Sequence, residues 1–225
     1  MSPKPEATKS IRPLKRLVCF DLDGVLLDSR QNMQIAWSAV QAELNVEVAF
    51  ERYFAEIGRP FGEIMTILGL ERQADAIETV FRRTSKAALH KTPLYGGVGD
   101  MLLALHCAGA KLAIVTSKDR TRTDVVLSRL PVTFETVQTP DAVCRGKPAP
   151  DHLLMAMATC RTDPSDTVFI GDMDADAEAA ARAGIDYIHA AWGYGRPPQR
   201  CLATLDSCAA VADFLLPTAT EYRIA

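Results

Sequence analysis

The sequence lacks the features that mark two large classes of proteins. It contains no apolar run of about 20 residues, the length that an α-helix needs to span a bilayer. Its 25 Lys and Arg residues are matched by 28 Asp and Glu residues, so the net charge of −3 provides no excess of basic side chains. Nucleic acids and anionic membrane surfaces attract proteins with a dense basic face. We therefore expect neither a nucleic-acid partner nor a membrane partner.

Paired cysteines are also absent. The six cysteines form no CxxC pair and no Cys/His group with the usual spacing of a zinc site. Several of them lie within apolar runs, where a free cysteine behaves as a small hydrophobic residue. This pattern favours reduced thiols that pack in the interior, and we expect a cytoplasmic protein.

The first 16 residues differ in composition from the rest of the chain. They are polar, basic and interrupted by proline, and the apolar run that begins at Leu17 is broken at Asp21. A signal peptide would need an apolar stretch of roughly 7–15 residues after its charges. We therefore predict a flexible tail over residues 1–16.

Short apolar runs rich in β-branched residues alternate with helical patterns along most of the chain. Runs that are apolar on both faces suit strands that are buried between two layers of helices. The alternation predicts an α/β fold with a doubly wound parallel sheet. The predicted strands are 17–20, 112–115, 167–170 and 185–188, with a weaker one at 133–137, and the predicted helices are 98–108, 119–129, 149–160 and 174–183.

Residues 30–92 break this alternation, because they contain helical patterns and no clear strand. One amphipathic helix is predicted to begin after Ser29, with Asp28 or Ser29 as its N-cap, and another covers roughly 71–90. A helical block of this length is too long for a simple crossover between two strands. We predict that residues 30–92 form an α-helical cap, inserted between the core segments 17–29 and 93–225.

The predicted carboxyl ends of the strands carry acidic and small residues. Ligands of doubly wound sheets bind beyond these ends, although each segment alone is also a common turn or helix cap. The spacing of acids after Asp172 resembles a calcium loop, but Ala177 and Ala183 stand where such a loop needs Gly and Glu. The segments are Asp21-Leu22-Asp23-Gly24, Thr116-Ser117-Lys118, Arg145-Gly146-Lys147-Pro148-Ala149-Pro150-Asp151 and Gly171-Asp172-Met173-Asp174-Ala175-Asp176.

Together these segments fit the chemistry of phosphoryl transfer. Carboxylates that meet at one edge of a sheet repel each other unless a hard cation such as Mg²⁺ lies between them. The Mg²⁺ ion and Lys147 would offset the charge of a phosphoryl group, and Thr116 would donate its hydroxyl to that group. Attack by Asp21 would give an acyl-phosphate, while Asp23 could protonate the leaving oxygen and later activate water.

Four ordered motifs carry a resemblance to a known family: FDLDGVLLDS (20–29), IVTSK (114–118), GKPAPD (146–151) and GDMDADAEAAARAG (171–184). The sequence resembles the haloacid dehalogenase-like hydrolases, and within them the phosphoglycolate-phosphatase-like branch with a helical cap. The resemblance covers residues 17 to 215. It implies a Rossmann-like core and a magnesium-dependent phosphomonoester hydrolase that acts on a small phosphorylated metabolite, with phosphoglycolate as the default substrate.

The resemblance also implies a role for each matching residue. The catalytic residues would be the nucleophile Asp21 and the acid/base Asp23. The cap would recognise the substrate through its loop 58–64. Within this loop we predict Arg59 as the specificity residue, because its guanidinium can donate two parallel hydrogen bonds to a carboxylate or to hydroxyls, although a solvated surface position for Arg59 stays open. Mg²⁺ would be bound by Asp21, by Asp172 and by the main-chain carbonyl of Asp23. Phosphate would be bound by Thr116, Ser117 and Lys147. Asp176 would support the metal or Lys147.

Two other functions stay open beside the phosphatase. Sugar-phosphate mutases that resemble this chain carry a His in the first cap helix, where this chain has Met33, so hydrolysis is favoured. A non-catalytic phosphate-binding relative would lose at least one of Asp21, Asp23, Lys147 or Asp172, and all four are present. Asp174 is predicted to be a charge at a helix N-terminus rather than a ligand. The sequence leaves open a monomer or a homodimer.

Overall fold

The structure, a computed structural model, describes residues 15–141 and 143–216. Most of the predicted tail over residues 1–16 therefore lies outside the described residues. Within the described part, no helix is both long enough and apolar enough to cross a membrane.

Six parallel strands form a single sheet in the order β3-β2-β1-β4-β5-β6. The predicted α/β class and the parallel sheet are confirmed. The predicted run 133–137 is shifted to 136–138, and β6 was not predicted because three residues are too few to show a periodicity. The strands are β1 Leu17–Phe20, β2 Lys111–Val115, β3 Thr136–Gln138, β4 Thr167–Gly171, β5 Asp186–Ala190 and β6 Ala203–Leu205.

Nine α-helices lie in the described residues, together with three short 3₁₀ turns at Glu71–Gln73, Leu89–Lys91 and Pro164–Asp166. The four helices predicted for the core are all present, with ends that differ from the prediction by up to two residues. The helices are α1 Arg30–Leu44, α2 Phe50–Phe54, α3 Phe61–Ile67, α4 Ala74–Ala88, α5 Val98–Cys107, α6 Arg120–Leu127, α7 Asp151–Cys160, α8 Asp174–Ala183 and α9 Cys208–Leu215.

Strand β1 lies in the middle of the sheet and is completely buried. Its alternate side chains point to opposite faces, so Val18 and Phe20 join the core beneath α5 and α9, whereas Leu17 and Cys19 join the core beneath α7 and α8. Phe20 is level with residue 114 of β2 and residue 170 of β4. The loops that follow these three strands therefore leave the sheet at the same edge.

Helices α1 to α4 form the cap, which has a hydrophobic core of its own. Trp37 of α1 is buried in this core and stacks on Tyr53 of α2 with their ring centroids 4.4 Å apart. The indole N–H of Trp37 donates to the Val48 carbonyl oxygen at 2.8 Å. The inserted helical cap is confirmed as part of the fold, while its exact bounds at residues 30 and 92 stay predictions.

The two linkers between cap and core lie side by side. The Asp28 N–H donates to the Pro93 carbonyl at 2.9 Å, and the Tyr95 N–H donates to the Leu26 carbonyl at 3.1 Å. Ser29 stands at the N-cap position of α1, as predicted, but neither its side chain nor that of Asp28 caps the helix. The Tyr194 hydroxyl takes this role instead, since it accepts the N–H groups of Ser29 at 2.6 Å and Arg30 at 3.1 Å.

We predict that Trp37→Ala destabilises the protein by about 3–5 kcal/mol, because it removes a stacked ring and leaves a cavity in the cap core. Ile35→Ala on the same helix is the matched control, since Ile35 is 46% exposed, and it should change stability by no more than about 0.5 kcal/mol. Urea unfolding followed by circular dichroism measures both. Equal effects would show that Trp37 does not hold the cap together.

Candidate active site

The loop after β1 brings Asp21 to the edge of the sheet. The Asp21 N–H donates to the Ile170 carbonyl at 2.9 Å, which continues the ladder of β1 and β4 by one residue. Gly24 closes the loop with a φ of +81°, and a Cβ atom there would lie 2.2 Å from Oδ2 of Asp172. Only glycine allows this approach. The DxDG segment is therefore packed directly against the loop after β4.

Three buried carboxylates meet at this edge: Asp21, Asp172 and Asp176 each offer an oxygen within 4.8 Å of the others. Asp176 is held in place, because its Oδ2 accepts the N–H groups of Asp172 at 3.2 Å and Met173 at 3.0 Å. Oδ2 of Asp172 accepts the N–H of Tyr194 at 2.7 Å. The backbone thus fixes two of the three carboxylates.

Lys147 is buried beside the carboxylates. Its ammonium lies 2.8 Å from Oδ1 of Asp21 and 2.6 Å from Oδ1 of Asp176. Burial alone would lower the pKa of Lys147, but attraction to Asp176 and Asp21 outweighs it and raises this pKa above its ordinary value. Lys147 therefore stays positively charged at neutral pH.

The acidic cluster has the character of a cation site. Burial raises the pKa of Asp21 to about 7 despite the opposing charge of Lys147, and burial followed by repulsion from Asp176 raises the pKa of Asp172 well above its usual range. Among the described residues, Oδ1 of Asp172 has no hydrogen-bond donor, and Oδ1 of Asp21 has the Lys147 ammonium beside it. A buried carboxylate oxygen without a donor suits a hard divalent cation, which takes oxygen ligands.

The loop after β2 supplies the other predicted phosphate ligands. Thr116 is buried, and its hydroxyl oxygen accepts the Lys118 N–H at 3.2 Å, so the hydroxyl proton is left to donate elsewhere. The Ser117 hydroxyl instead donates to the carbonyl of Gly58 in the cap at 2.7 Å. A contact from Ser117 to phosphate would therefore come from its main-chain N–H rather than its side chain.

Asp23 does not join the three carboxylates but pairs with Lys118. The Lys118 ammonium lies 3.0 Å from Oδ2 of Asp23. Burial lowers the pKa of Lys118, and the nearby carboxylate of Asp23 offsets this only in part. The main-chain carbonyl of Asp23, the atom that the resemblance assigns to the metal, stays a prediction.

One cavity between core and cap collects these groups. Its core wall contains Asp21, Asp23, Thr116 and Lys147, and its cap wall includes Arg59. Arg59 is about one-third exposed and forms an ion pair with Glu56 at 3.3 Å. The structure therefore brings the predicted specificity residue to the same cavity as the predicted nucleophile.

Asp174 is exposed in the first turn of α8, in agreement with its predicted position at a helix N-terminus.

Two residues that contact the predicted carboxylates were not predicted, Lys118 and Tyr194. Lys118 is the last residue of the IVTSK motif (114–118), but its ion pair with Asp23 could not be predicted, because the two residues are far apart in the chain. Tyr194 follows β5 between two glycines, and the strand-end rule could have identified it if it had been applied to that strand.

Comparisons with known proteins agree with this geometry. The family model for haloacid dehalogenase-like hydrolases matches residues 18–190. The tyrosine-protein kinase PtkA of Mycobacterium tuberculosis is 30% identical over 185 residues, which are 80% of this chain and 64% of the kinase. The phosphoglycolate phosphatase of Xylella fastidiosa is 33% identical over 188 residues, or 80% of this chain and 81% of the phosphatase.

A solved structure shares the fold over most of the chain. The hydrolase from Pseudomonas syringae superposes with a TM-score of 0.78 at 24% identity, and the match covers 89% of this chain and 97% of that one. This chain spans only about two-thirds of the length of the kinase relative, so the kinase contains a further region that is not matched. The matched family segment nevertheless runs from the second residue of β1 to the end of β5 and includes the whole cap and every carboxylate of the cluster, and the chain belongs to the haloacid dehalogenase-like hydrolases.

Proposed function

We propose that this protein is a magnesium-dependent phosphatase that hydrolyses a small phosphorylated metabolite through a phosphoryl group carried on Asp21. The supporting observation is the position of Asp21 in the cavity, with the Lys147 ammonium 2.8 Å away and the hydroxyl of Thr116 lining the same wall. A carboxylate nucleophile needs positive charge beside it, because its substrate is an anion. The identity to phosphoglycolate phosphatases makes phosphoglycolate the first substrate to examine.

Two displacements at phosphorus account for the reaction. In the first, an oxygen of Asp21 attacks phosphorus, the bond to the leaving oxygen breaks, and Asp23 gives its proton to that oxygen. In the second, Asp23 takes a proton from water, the water oxygen attacks phosphorus, and Asp21 is released as a carboxylate. Throughout both steps Lys147 and the hydroxyl of Thr116 hold the phosphoryl oxygens.

The residues that would hold Mg²⁺ are Asp21, Asp172 and the main-chain carbonyl of Asp23, with Asp176 behind them. When bound, the ion supplies positive charge that keeps the Asp21 carboxylate ionised and offsets the charge of the phosphoryl group. The chain prepares this site itself: Asp176 fixes the loop after β4 through two N–H groups, and Tyr194 orients Asp172. We infer that the metal ion and Lys147 together neutralise the negative charge of the buried carboxylates.

Cap and core both provide cationic residues for the part of the substrate that does not react. Arg59 and Arg82 of the cap and Arg122 of the core helix α6 line the cavity that contains Asp21. Guanidinium groups bind carboxylates and phosphates through paired N–H donors. They support a substrate whose leaving group is polar or anionic, as phosphoglycolate is.

Two other functions differ in the acceptor of the phosphoryl group. Met33 lines the cavity where a mutase would need its His, and this supports water as the acceptor rather than a sugar. The 30% identity to a tyrosine-protein kinase favours a second candidate, transfer from a nucleotide to a protein hydroxyl. Incubation with ATP labelled in its γ-phosphate tests the kinase candidate, since a kinase transfers the label to a protein tyrosine, whereas a phosphatase leaves protein tyrosines unlabelled.

Asp21→Asn should lower kcat at least about a thousandfold, because the amide is a poor nucleophile and no neighbouring group replaces it. Asp23→Asn should still release an aryl alcohol with a good leaving group in a single burst, and then turn over slowly because water is no longer activated. Stopped-flow absorbance measures both phases. Asp174→Asn is the matched control, since Asp174 is exposed in the first turn of α8, two residues after Asp172, and should keep normal turnover. Retained steady-state activity in Asp21→Asn would contradict the nucleophile assignment.

Chelation should abolish activity and Mg²⁺ should restore it, whereas Ca²⁺ should inhibit because its looser coordination can draw in both oxygens of Asp21. Mg²⁺ should also raise the melting temperature, since it relieves repulsion among the three buried carboxylates. Asp172→Asn removes one of the repelling carboxylates, so its melting temperature in chelator should be higher than that of the wild type. The rise in melting temperature on adding Mg²⁺ should be smaller in this variant. Differential scanning fluorimetry measures these shifts. Full activity in excess chelator would contradict the metal dependence.

Arg59→Ala should lower kcat/KM for an anionic metabolite by about tenfold, or about 1.4 kcal/mol, while turnover of a small aryl phosphate stays nearly unchanged. The reason is that the aryl group offers nothing for a guanidinium to bind. Arg52→Ala is the control, since Arg52 is exposed in α2. Equal losses on both substrates would assign Arg59 to the phosphate site or the fold, and no loss on either would leave it as a surface residue.

A further inference from the structure

A second group of metal-ligating side chains lies outside the cavity, around the loop that leads to Lys147. Asp141 follows β3, Cys144 lies three residues before Lys147, and His152 is in the first turn of α7. One ligand atom of each residue lies within 4.8 Å of the other two. The group combines an oxygen, a sulfur and a nitrogen, whereas the predicted magnesium site contains only oxygen.

The imidazole of His152 is the observation that indicates a ligand. His152 is 3% exposed, and its Nε2 has no hydrogen-bond partner among the described residues. This atom lies 3.9 Å from Oδ2 of Asp141, which is too far for a hydrogen bond. Buried polar side-chain atoms nearly always have a partner, so an unpaired nitrogen that faces a carboxylate and a thiol needs an explanation.

The other two side chains are arranged toward the same point. Oδ1 of Asp141 accepts the N–H groups of Val143 at 2.7 Å and Cys144 at 2.6 Å, which leaves Oδ2 to face His152. Histidine binds metal ions through a ring nitrogen, and Nε2 of His152 is a ring nitrogen without a hydrogen-bond partner among the described residues.

We propose that Asp141, Cys144 and His152 bind a borderline-soft divalent cation of the zinc type, with water as the fourth ligand. Zinc takes thiolate, imidazole and carboxylate ligands, whereas Mg²⁺ avoids sulfur. Bond lengths of about 2.0–2.3 Å place the ligand atoms of a tetrahedral zinc site about 3.3–3.8 Å apart, so each pair of ligand atoms needs to approach by at most about 1.5 Å. The Cys144 thiol loses its proton to solvent as the sulfur–metal bond forms.

Such an ion would tie the loop before Lys147 to the start of α7. Arg145 and Asp151 already join the same two segments through paired hydrogen bonds, at 3.1 Å and 2.9 Å. The zinc-type site goes beyond the proposed phosphatase function and does not rest on it. The bound ion would be a second link between this loop and α7, beside the Arg145–Asp151 hydrogen bonds. Its stability would depend on metal availability and on the redox state of Cys144.

Titration of the protein with Co²⁺ in saturating Mg²⁺ tests this site. A thiolate bound to cobalt gives an intense charge-transfer absorption in the near ultraviolet, which a site made only of carboxylates cannot produce. We expect this band to saturate at one equivalent, to disappear in Cys144→Ser, and to persist in the controls Cys107→Ser and Cys201→Ser. His152→Gln should weaken the binding of Co²⁺ and Zn²⁺ by at least about tenfold, since even indirect partners of a metal ligand contribute that much.

Circular dichroism in chelator shows whether each variant keeps the fold. If His152→Gln does not fold, Asp141→Asn on the exposed side of the site replaces it and should weaken binding in the same direction. The proposal is overturned if the wild type shows no charge-transfer band. It is equally overturned if the band survives in Cys144→Ser or is lost in either control.

Discussion

The burial of Lys147 among carboxylates is the interaction on which the rest of the site depends. Its ammonium contacts Asp21 and Asp176 at 2.8 Å and 2.6 Å, and all of these groups are removed from solvent. Either charge alone would be costly to bury, because desolvation favours the neutral form. Lys147 and the three carboxylates Asp21, Asp172 and Asp176 carry a net charge of −2 when all are ionised. A divalent cation would balance that charge, which supports the proposal of a magnesium site beside a cationic lysine.

Tyr194 connects this charged centre to the cap. Its N–H donates to Asp172 at 2.7 Å, and its hydroxyl accepts the N–H of Ser29 at 2.6 Å, where the chain enters the first cap helix. The same hydroxyl donates to Asp28 at 3.1 Å, and the ring packs edge-on against Phe54 of the cap. One residue therefore contacts both a carboxylate of the cluster and the start of the cap. The two linkers between cap and core lie beside it.

Local sequence patterns predicted the parts of the molecule that depend on short segments. Strands β1, β2 and β4 are mostly apolar, and the acids that follow β1 and β4 mark the sheet edge where ligands are predicted to bind. Strand β6 was missed because it is too short to show a pattern. The N-cap position of α1 at Ser29 was predicted, but its hydrogen-bond partner was not, because Tyr194 lies 165 residues away from Ser29. The sequence also could not predict the contact of Lys118 with Asp23 or the group of side chains around His152, because tertiary packing alone brings these side chains together.

Mass spectrometry of acid-quenched enzyme tests the central claim most directly. Asp23→Asn mixed with a good substrate and Mg²⁺, then quenched within the first turnover, should carry one phosphoryl group on the peptide that contains Asp21. Reduction with borohydride should convert that residue, and no other, to homoserine. Phosphate on a different residue, or rapid turnover with no phosphorylated peptide at any quench time, would contradict the account.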